Sequence, residues 1–250
     1  PTTLGTRACC GHHDVVNPTY CLRASRETLS PQGRQVATEG CSNGAVESLY
    51  EAFARVRPGC MTAAIHAPFG RSARHAVLER RNLCDRGRLR ALTGELSVDQ
   101  HPRWPGEFKA VADESTLDTR GVAQVIELFT RYALPPPELV YHELALTDGA
   151  GHDYGPHSPG LRDALDESDR RIGRVLALLD QLGLFEETLF VVTADHGMAP
   201  QDVSLRANPT AHVLAAGLEA VVAETMIWLR DLAVAVERAA DGRSARVIVC

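Results

Sequence analysis

The sequence predicts an α/β protein with a mostly parallel central sheet and helices on both faces of that sheet. Short apolar runs typical of buried strands alternate with longer stretches of helical period. Residues 189–194 are nearly all apolar, which is the pattern of a central strand covered on both faces. Residues 139–194 read as strand, crossover helix and strand, so we expect the two strands to be parallel with a right-handed connection.

The first half of the chain supplies three predicted helices and one strand. Residues 45–56 carry apolar side chains on one stripe and end at Pro58, which predicts a helix. Residues 61–65 are predicted to be a short buried strand, and residues 71–90 a basic helix. A further helix is expected at 122–132, before a triple proline.

The second half is more regular. Residues 139–146 are predicted to be a strand, 147–160 a Gly/Pro-rich loop and 161–182 a long helix that ends at Gly183. Beyond residue 200 the pattern weakens, and residues 233–236 and 245–249 suggest a hairpin around Asp241-Gly242. We therefore expect a main domain over residues 1–205 and the start of a smaller inserted or cap region over 206–250.

Composition excludes several classes of protein. The chain has 250 residues, of which 44% are hydrophobic and 23% charged, as in soluble globular domains. A formal charge of -6 argues against binding of a nucleic acid polymer. No apolar run reaches the roughly 18 residues that a membrane span needs. The seven cysteines are odd in number and scattered, which favours free thiols and a cytoplasmic location.

Two polar clusters follow the two strands that are predicted to be parallel. Because loops at the carboxyl ends of such strands converge on one crevice, we expect the clusters to face each other. Carboxylate and imidazole ligands together suit Zn²⁺ and similar divalent ions, and glycines would let the first loop turn both ligands inward. Asp148 with Gly149 could also be a turn, and the second cluster a helix cap with a surface histidine. The clusters are Asp148-Gly149-Ala150-Gly151-His152 and Asp195-His196-Gly197.

These clusters and their surroundings resemble the type I phosphodiesterase/nucleotide pyrophosphatases of the alkaline phosphatase superfamily. The resemblance lies in the combined patterns D-x-x-G-H-x-x-G-P, from Asp148, and D-H-G-M, from Asp195. Weaker likeness extends to residues 11–17 and 104–106, so that the resemblance covers residues 1–205. It implies an alkaline phosphatase-like fold around a two-metal site, with Asp148 and His152 on one ion and Asp195 and His196 on the other.

The resemblance also implies residues that this chain does not show. Family members add an early aspartate ligand, a threonine nucleophile and a distant histidine. Thr2, Thr3 and Thr6 stand in the wrong place for the nucleophile, and His212 lies too close to the second cluster to be the distant ligand. We therefore expect a fragment truncated at both ends, which binds Zn²⁺ weakly and does not turn over.

The function expected of the intact enzyme is metal-dependent hydrolysis of small phosphodiesters or nucleotide pyrophosphates. Within the superfamily, a phosphomonoesterase, a phosphonate hydrolase and a phosphoglycerate mutase remain alternatives. A sulfatase is disfavoured because the chain has no C-x-P-S-R segment. A non-catalytic remnant that binds metal is the alternative from another class. His142, on the strand before Asp148, is either a residue that supports the metal ligands or a core histidine.

Overall fold

The computed structural model describes residues 6, 20–22, 27–29, 43–67, 69–77, 109–130, 135–200, 209–218, 220–223, 226–229, 234–238 and 245–249. The chain divides into two compact units. The first consists of Pro1–Val16 and Pro31–Gln201, and the second of Asn17–Ser30 and Asp202–Cys250. Residues 11–17 and 104–106, which carry the weaker likeness, lie outside the described residues.

The first unit is built on a parallel sheet. Strands β3 (Thr62–Ile65), β4 (His75–Val77) and β5 (Leu139–His142) lie in the order β4-β3-β5, and both pairings are parallel. The central strand β3 is buried along its whole length, in accord with its apolar residues Ala63, Ala64 and Ile65, and its one polar side chain, Thr62, accepts the N–H of Arg74 at 3.2 Å. The predicted parallel sheet is confirmed, and its carboxyl-terminal edge is where Ile65 lies beside His142.

Helices cover both faces of this sheet, as predicted. Strand β3 sends alternate side chains to the two sides, as a strand must. Ala64 packs with Tyr50 on one face, whereas Ala63 and Ile65 pack with Val125 on the other. The helices in chain order are α1 (Leu49–Val56), α2 (Lys109–Thr130), α3 (Leu146–Tyr154), α4 (Pro159–Gln181) and α5 (Pro209–Ala215).

Helix α1 confirms the prediction for residues 45–56 but begins at Leu49. Ser48 decides this start, because its hydroxyl accepts the N–H of Glu51 at 3.1 Å while the Glu51 carboxylate accepts the N–H of Ser48 at 2.7 Å. Arg71, from the loop after β3, donates to the same carboxylate at 3.0 Å. Burial raises the pKa of Glu51, but the donors Arg71, Ser48 and Ser72 outweigh it and hold that pKa at about 2.

The helix predicted at residues 71–90 is wrong for the part that the structure describes. Residues 75–77 form strand β4, which pairs with β3 in the register Ala63 to His75. The sequence of this segment did not predict a strand, because the strand that residues 75–77 pair with lies outside the segment.

Cys60, just before β3, is buried and forms no disulfide, in accord with the expectation of free thiols.

The loop predicted at residues 147–160 is also wrong. Strand β5 ends at His142, and Leu146–Tyr154 forms helix α3, which Gly155 ends at a φ of 91°. Leu146 and Ala150 are fully buried against Ala164 of α4, so packing outweighs the low helix propensity of the two glycines. The long helix predicted at 161–182 is confirmed as α4, and Gly183 follows it at a φ of 67°.

The central strand predicted at residues 189–194 is wrong, and with it the βαβ unit. The segment follows a short 3-10 helix (Phe185–Glu187) and has no strand pairing. Its side chains are exposed, with 88% of Leu189 and 70% each of Val191 and Val192 accessible. An apolar β-branched sequence favours extended backbone, but a strand also needs a partner with free backbone groups. In the described part of the sheet, β5 pairs with β3 alone.

The second unit consists of antiparallel pairs and a short helix. The predicted hairpin is confirmed, since β8 (Val234–Arg238) pairs with β9 (Ala245–Val249). Two further pairs were not predicted, β1 (Tyr20–Leu22) with β2 (Glu27–Leu29) and β6 (Ala220–Ala223) with β7 (Met226–Leu229). The boundary predicted at residue 205 stays a prediction, as does the assignment of residues 206–250 to a cap region. Of the helices in the described ranges, none has the length and apolar character to cross a membrane.

Candidate functional site

The first predicted ligand pair lies on helix α3. Asp148 and His152 are separated by four residues, so they lie on the same face of the helix. The distance from Asp148 Oδ1 to His152 Nε2 is 3.5 Å. Both side chains are open to solvent, with 48% of Asp148 and 69% of His152 accessible. The helix, not a glycine-bent loop, therefore brings the two groups together.

This distance suits two ligands of one metal ion. Zinc bonds to carboxylate oxygen and imidazole nitrogen are about 2.0–2.2 Å long, so two tetrahedral ligands lie roughly 3.3–3.5 Å apart. The spacing of Asp148 and His152 falls at the upper end of that range. A carboxylate and an imidazole are also the donor set that zinc accepts. The pair fits a divalent ion in both chemistry and separation.

The second predicted ligand pair lies in the irregular segment after α4, where the chain bends at Asp195. Asp195 Oδ2 and His196 Nε2 are 3.8 Å apart, and 34% and 58% of these side chains are accessible. The other ring nitrogen of His196 lies 3.0 Å from the carbonyl oxygen of Gly197, which restrains the ring. Adjacent residues can converge in this way because the segment is not a strand with alternating side chains.

The two pairs belong to neighbouring segments. A Cβ on Gly151 of α3 would lie 2.6 Å from the sulfur of Met198, so Met198 packs closely against the helix at this glycine. Burial raises the pKa of the Tyr141 hydroxyl on β5, and the carboxylates of Glu143 and Asp195 raise it further. The described side chains nevertheless form no metal-binding group of three or more His, Cys, Asp or Glu. The two residues of each pair lie close together, but a site that combines all four ligands stays a prediction.

A buried polar network lies behind α3. The Asp118 carboxylate of α2, which is fully buried, accepts the N–H of Ala145 at 2.7 Å and the N–H of Leu146 at 3.0 Å. Arg171 of α4, with 1% exposed, lies 3.4 Å from Asp118. It also donates to the hydroxyls of Ser115 and Thr119, at 2.9 and 3.0 Å. The network ties α2, α3 and α4 together at the start of α3.

Burial raises the pKa of Asp118 to about 7, against the lowering effects of its two N–H donors and Arg171. Sequence analysis missed both charged residues. A signal was available, because Arg171 stands on the stripe of α4 that also contains Ala164, Ser168 and Leu178, all buried. A charged residue within a buried stripe needs a partner, and Asp118 is that partner.

A profile of the type I phosphodiesterase / nucleotide pyrophosphatase family matches residues 3–249. This match extends over almost the whole chain and includes both ligand pairs. The chain belongs to this family. The resemblance found in the sequence motifs is confirmed.

Individual relatives match shorter parts of the chain. The human ectonucleotide pyrophosphatase/phosphodiesterase family member 5 is 30% identical over 101 residues, which are 40% of this chain and 20% of that protein. The steryl-sulfatase of Mus musculus is 33% identical over 117 residues, 46% of this chain and 18% of that protein. The chain thus matches no more than a fifth of the length of either relative.

A solved structure is similar over a larger part of the chain. It is an inactive form of murine ectonucleotide pyrophosphatase / phosphodiesterase 5 in complex with AMP. The TM-score is 0.44 at 19% identity, and the similarity covers 73% of this chain and 40% of the murine chain.

In the present chain, two histidines lie close together at the carboxyl-terminal edge of the parallel sheet. The rings of His66 and His142 are 6.1 Å apart between centroids, in an edge-on arrangement. His66 is buried and has a φ of 57°, which is rare for a residue other than glycine. Gly121 of α2 lies against both rings, and a Cβ there would lie 3.0 Å from the His66 ring and closer still to His142 Nε2. Helix and sheet can therefore approach only if residue 121 is glycine.

We expect Gly121→Ala to lower the free energy of unfolding by about 1–3 kcal/mol, because the new methyl group overlaps His142 and His66. The matched control is Gly173→Ala in α4, where a Cβ would meet nothing within 4 Å. That change is expected to raise stability by up to about 1 kcal/mol through helix propensity. Urea unfolding of both variants measures the difference, and equal stabilities would contradict the close approach at Gly121.

We expect His142 to make stability depend on pH. Burial and the nearby charge of Arg171 lower its pKa to about 4. Below about pH 6.5 the unfolded chain therefore takes up a proton that the folded chain refuses, and stability falls with pH until about 4. The loss from this group is up to about 3 kcal/mol, while the raised pKa of Asp118 acts in the opposite direction.

Urea unfolding between pH 4 and pH 7 isolates this contribution. His142→Gln, which does not titrate, should flatten the fall of stability with decreasing pH relative to the unsubstituted protein. Parallel pH profiles for the two proteins would show that His142 titrates normally in the fold.

Proposed function

We propose that this protein is a metal-dependent hydrolase of phosphodiester or nucleotide pyrophosphate bonds. The observation that carries the proposal is the family match over residues 3–249, which includes both Asp/His pairs. The 3.5 Å separation of Asp148 and His152 supports metal binding, and Asp195 and His196, at 3.8 Å, would have to close by about 0.3 Å to share one ion. The human relative, whose name records a nucleotide pyrophosphatase and phosphodiesterase, supports the substrate class.

We further propose which residues hold the metal. Asp148 and His152 bind one divalent ion and Asp195 and His196 a second, with Zn²⁺ as the ion that this donor set favours. When bound, two such ions supply positive charge that stabilises the attacking and leaving oxygens of a displacement at phosphorus. The chain has a formal charge of -6, so local positive charge is needed to attract an anionic substrate.

The residues of the chain hold and orient these ligands. The first turn of α3 carries Asp148, and its position is fixed by the hydrogen bond from its N–H to the carbonyl of Ala145 at 3.0 Å. Met198 packed on Gly151 keeps the second segment beside that helix. The solvent-exposed side chains of both pairs leave room for a phosphate ester to approach. Tyr141, with its raised pKa, keeps its hydroxyl proton at neutral pH.

Metal titration and a hydrolysis assay on the full-length protein test the proposal. Calorimetry should show Zn²⁺ binding that Asp148→Asn and Asp195→Asn each weaken. Bis(4-nitrophenyl) phosphate should be hydrolysed in a reaction that a chelator stops and added Zn²⁺ restores. Preferential hydrolysis of 4-nitrophenyl sulfate would contradict the phosphodiester assignment and agree with the steryl-sulfatase similarity. Absence of both metal binding and hydrolysis would contradict the proposal entirely.

A further inference from the structure

We infer that Asp118 is a positioning residue, which fixes the first turn of helix α3 and thereby the direction of the Asp148 side chain. The position of the turn is a property of the fold alone. Its consequence for metal binding rests on the proposed function. Asp118 itself lies on α2 and is fully buried, so it is not a metal ligand but acts through the backbone of α3.

Helix α3 does not cap its own amino terminus. The residue at the N-cap position is Ala145, whose methyl group cannot accept a hydrogen bond, and no side chain of the helix replaces it. Asp118 does so from 27 residues away in sequence, with one oxygen on the N–H of Ala145 and the other on the N–H of Leu146. Unsatisfied N–H groups at a buried helix start are costly, so this carboxylate decides where the helix begins.

The start of the helix and the Asp148 ligand are directly connected. The N–H groups of Asp148 and Gly149 both bond to the carbonyl oxygen of Ala145, at 3.0 and 3.2 Å. Asp118 therefore accepts the N–H of Ala145, and the carbonyl oxygen of the same residue accepts the N–H groups of the turn that carries Asp148. A shift of Ala145 would move Asp148 relative to His152, one helical turn further on.

Asp118 is itself held in place. Arg171 lies 3.4 Å from its carboxylate, and the same guanidinium donates to Ser115 and Thr119. All four side chains are less than a tenth exposed, so water does not compete for these bonds. Asp118, Ser115 and Thr119 all lie on α2, and Glu167 of α4 lies 3.5 Å from the same guanidinium, so Arg171 links the two helices behind the cap.

Hydrogen exchange and metal titration of Asp118→Asn test the inference. Asparagine keeps the size of the side chain but turns an N–H₂ group toward one of the backbone N–H donors. We expect the Ala145 and Leu146 amides to exchange about tenfold faster, and Zn²⁺ affinity to fall about tenfold, as for other residues that support metal ligands. If Asp118→Asn does not fold, Ser115→Ala and Thr119→Val take its place as the test. They loosen Arg171 without touching α3 and should change amide exchange and Zn²⁺ affinity in the same direction by smaller amounts.

Two controls separate positioning from stability alone. Val125→Ala removes packing between α2 and the sheet, away from α3, and should reduce stability while Zn²⁺ affinity stays within about twofold. Asp169→Asn removes an exposed carboxylate of α4 and should change neither quantity. Unchanged exchange at Ala145 and Leu146 in Asp118→Asn would overturn the inference, as would an equal loss of Zn²⁺ affinity in Val125→Ala. If the unsubstituted protein binds no Zn²⁺, the proposed function fails, and the exchange rates still decide the role of Asp118.

Discussion

Arg171→Met is expected to lower the free energy of unfolding by about 3–5 kcal/mol. Methionine keeps much of the apolar volume of the side chain but removes the cation that lies 3.4 Å from the buried Asp118. It also leaves the hydroxyls of Ser115 and Thr119 without their guanidinium donor. Breaking a buried pair on one side costs more than the pair contributes, because the remaining carboxyl has neither solvent nor a cation. The pKa of Asp118, about 7 beside Arg171, would rise further, so the carboxyl would take up a proton and weaken its bonds to the N–H groups of α3. Urea unfolding followed by far-ultraviolet circular dichroism measures the loss.

The neighbouring Arg170 provides a matched control for this change. Its guanidinium pairs with the buried Glu167 at 2.9 Å, but 52% of the Arg170 side chain is exposed. Glu167 keeps a second cation, Arg171, at 3.5 Å when Arg170 is replaced. Arg170→Met should therefore cost about 1 kcal/mol or less. Equal losses in the two variants would show that the buried network around Asp118 contributes nothing specific to stability.

In the intact enzyme, Asp195→Asn is expected to reduce phosphodiester hydrolysis by at least about 100-fold, the upper end of the loss for residues that only support metal ligands. The amide is a weaker ligand than the carboxylate and does not compensate the charge of an ion. The residue is about one-third exposed and its segment pairs with no described strand, so the fold should tolerate the change. Steady-state assays with bis(4-nitrophenyl) phosphate and measurement of bound zinc together check the result.

Asp180→Asn serves as the control for the loss of one negative charge. Asp180 lies at the exposed end of α4, away from both ligand pairs in sequence. Its rate and zinc content should match those of the unsubstituted protein. Near-normal rates and unchanged zinc in Asp195→Asn would refute the assignment of Asp195 as a ligand.

Local sequence predicted much of the first unit. The stripes of residues 45–56 and 161–182 predicted α1 and α4, and the apolar runs at 61–65 and 139–146 predicted two strands of the parallel sheet, the second of which ends at His142. On β3 the apolar side chains are also buried, as Ala63 and Ile65 show against Val125. On α4 the apolar Leu165 is 52% exposed, whereas Ser168 and Arg171 are buried. The apolar period therefore predicted the helix but not the face that it buries.

The prediction failed where a distant partner decides the structure. Residues 147–154 look like a glycine-rich loop, but buried Leu146 and Ala150 and the cap from Asp118 make them a helix. Residues 189–194 look like a central strand, but no described strand pairs with them. Residues 75–77 gave no strand signal, yet they pair with β3. Strand pairing and remote capping depend on residues tens of positions away, which a local window does not contain.

The sequence by itself determined the family and the identity of the four ligand candidates, because these lie in short motifs whose spacing is fixed along the chain. Tertiary structure decided how each pair is assembled: one turn of α3 brings Asp148 and His152 together, and a bend at Asp195, in a segment that packs through Met198 on Gly151, brings Asp195 and His196 together. It alone revealed that Asp118 and Arg171 hold the start of α3. A buried charge is stable only beside its partner, and that partner is brought close by the packing of helices and not by the order of residues.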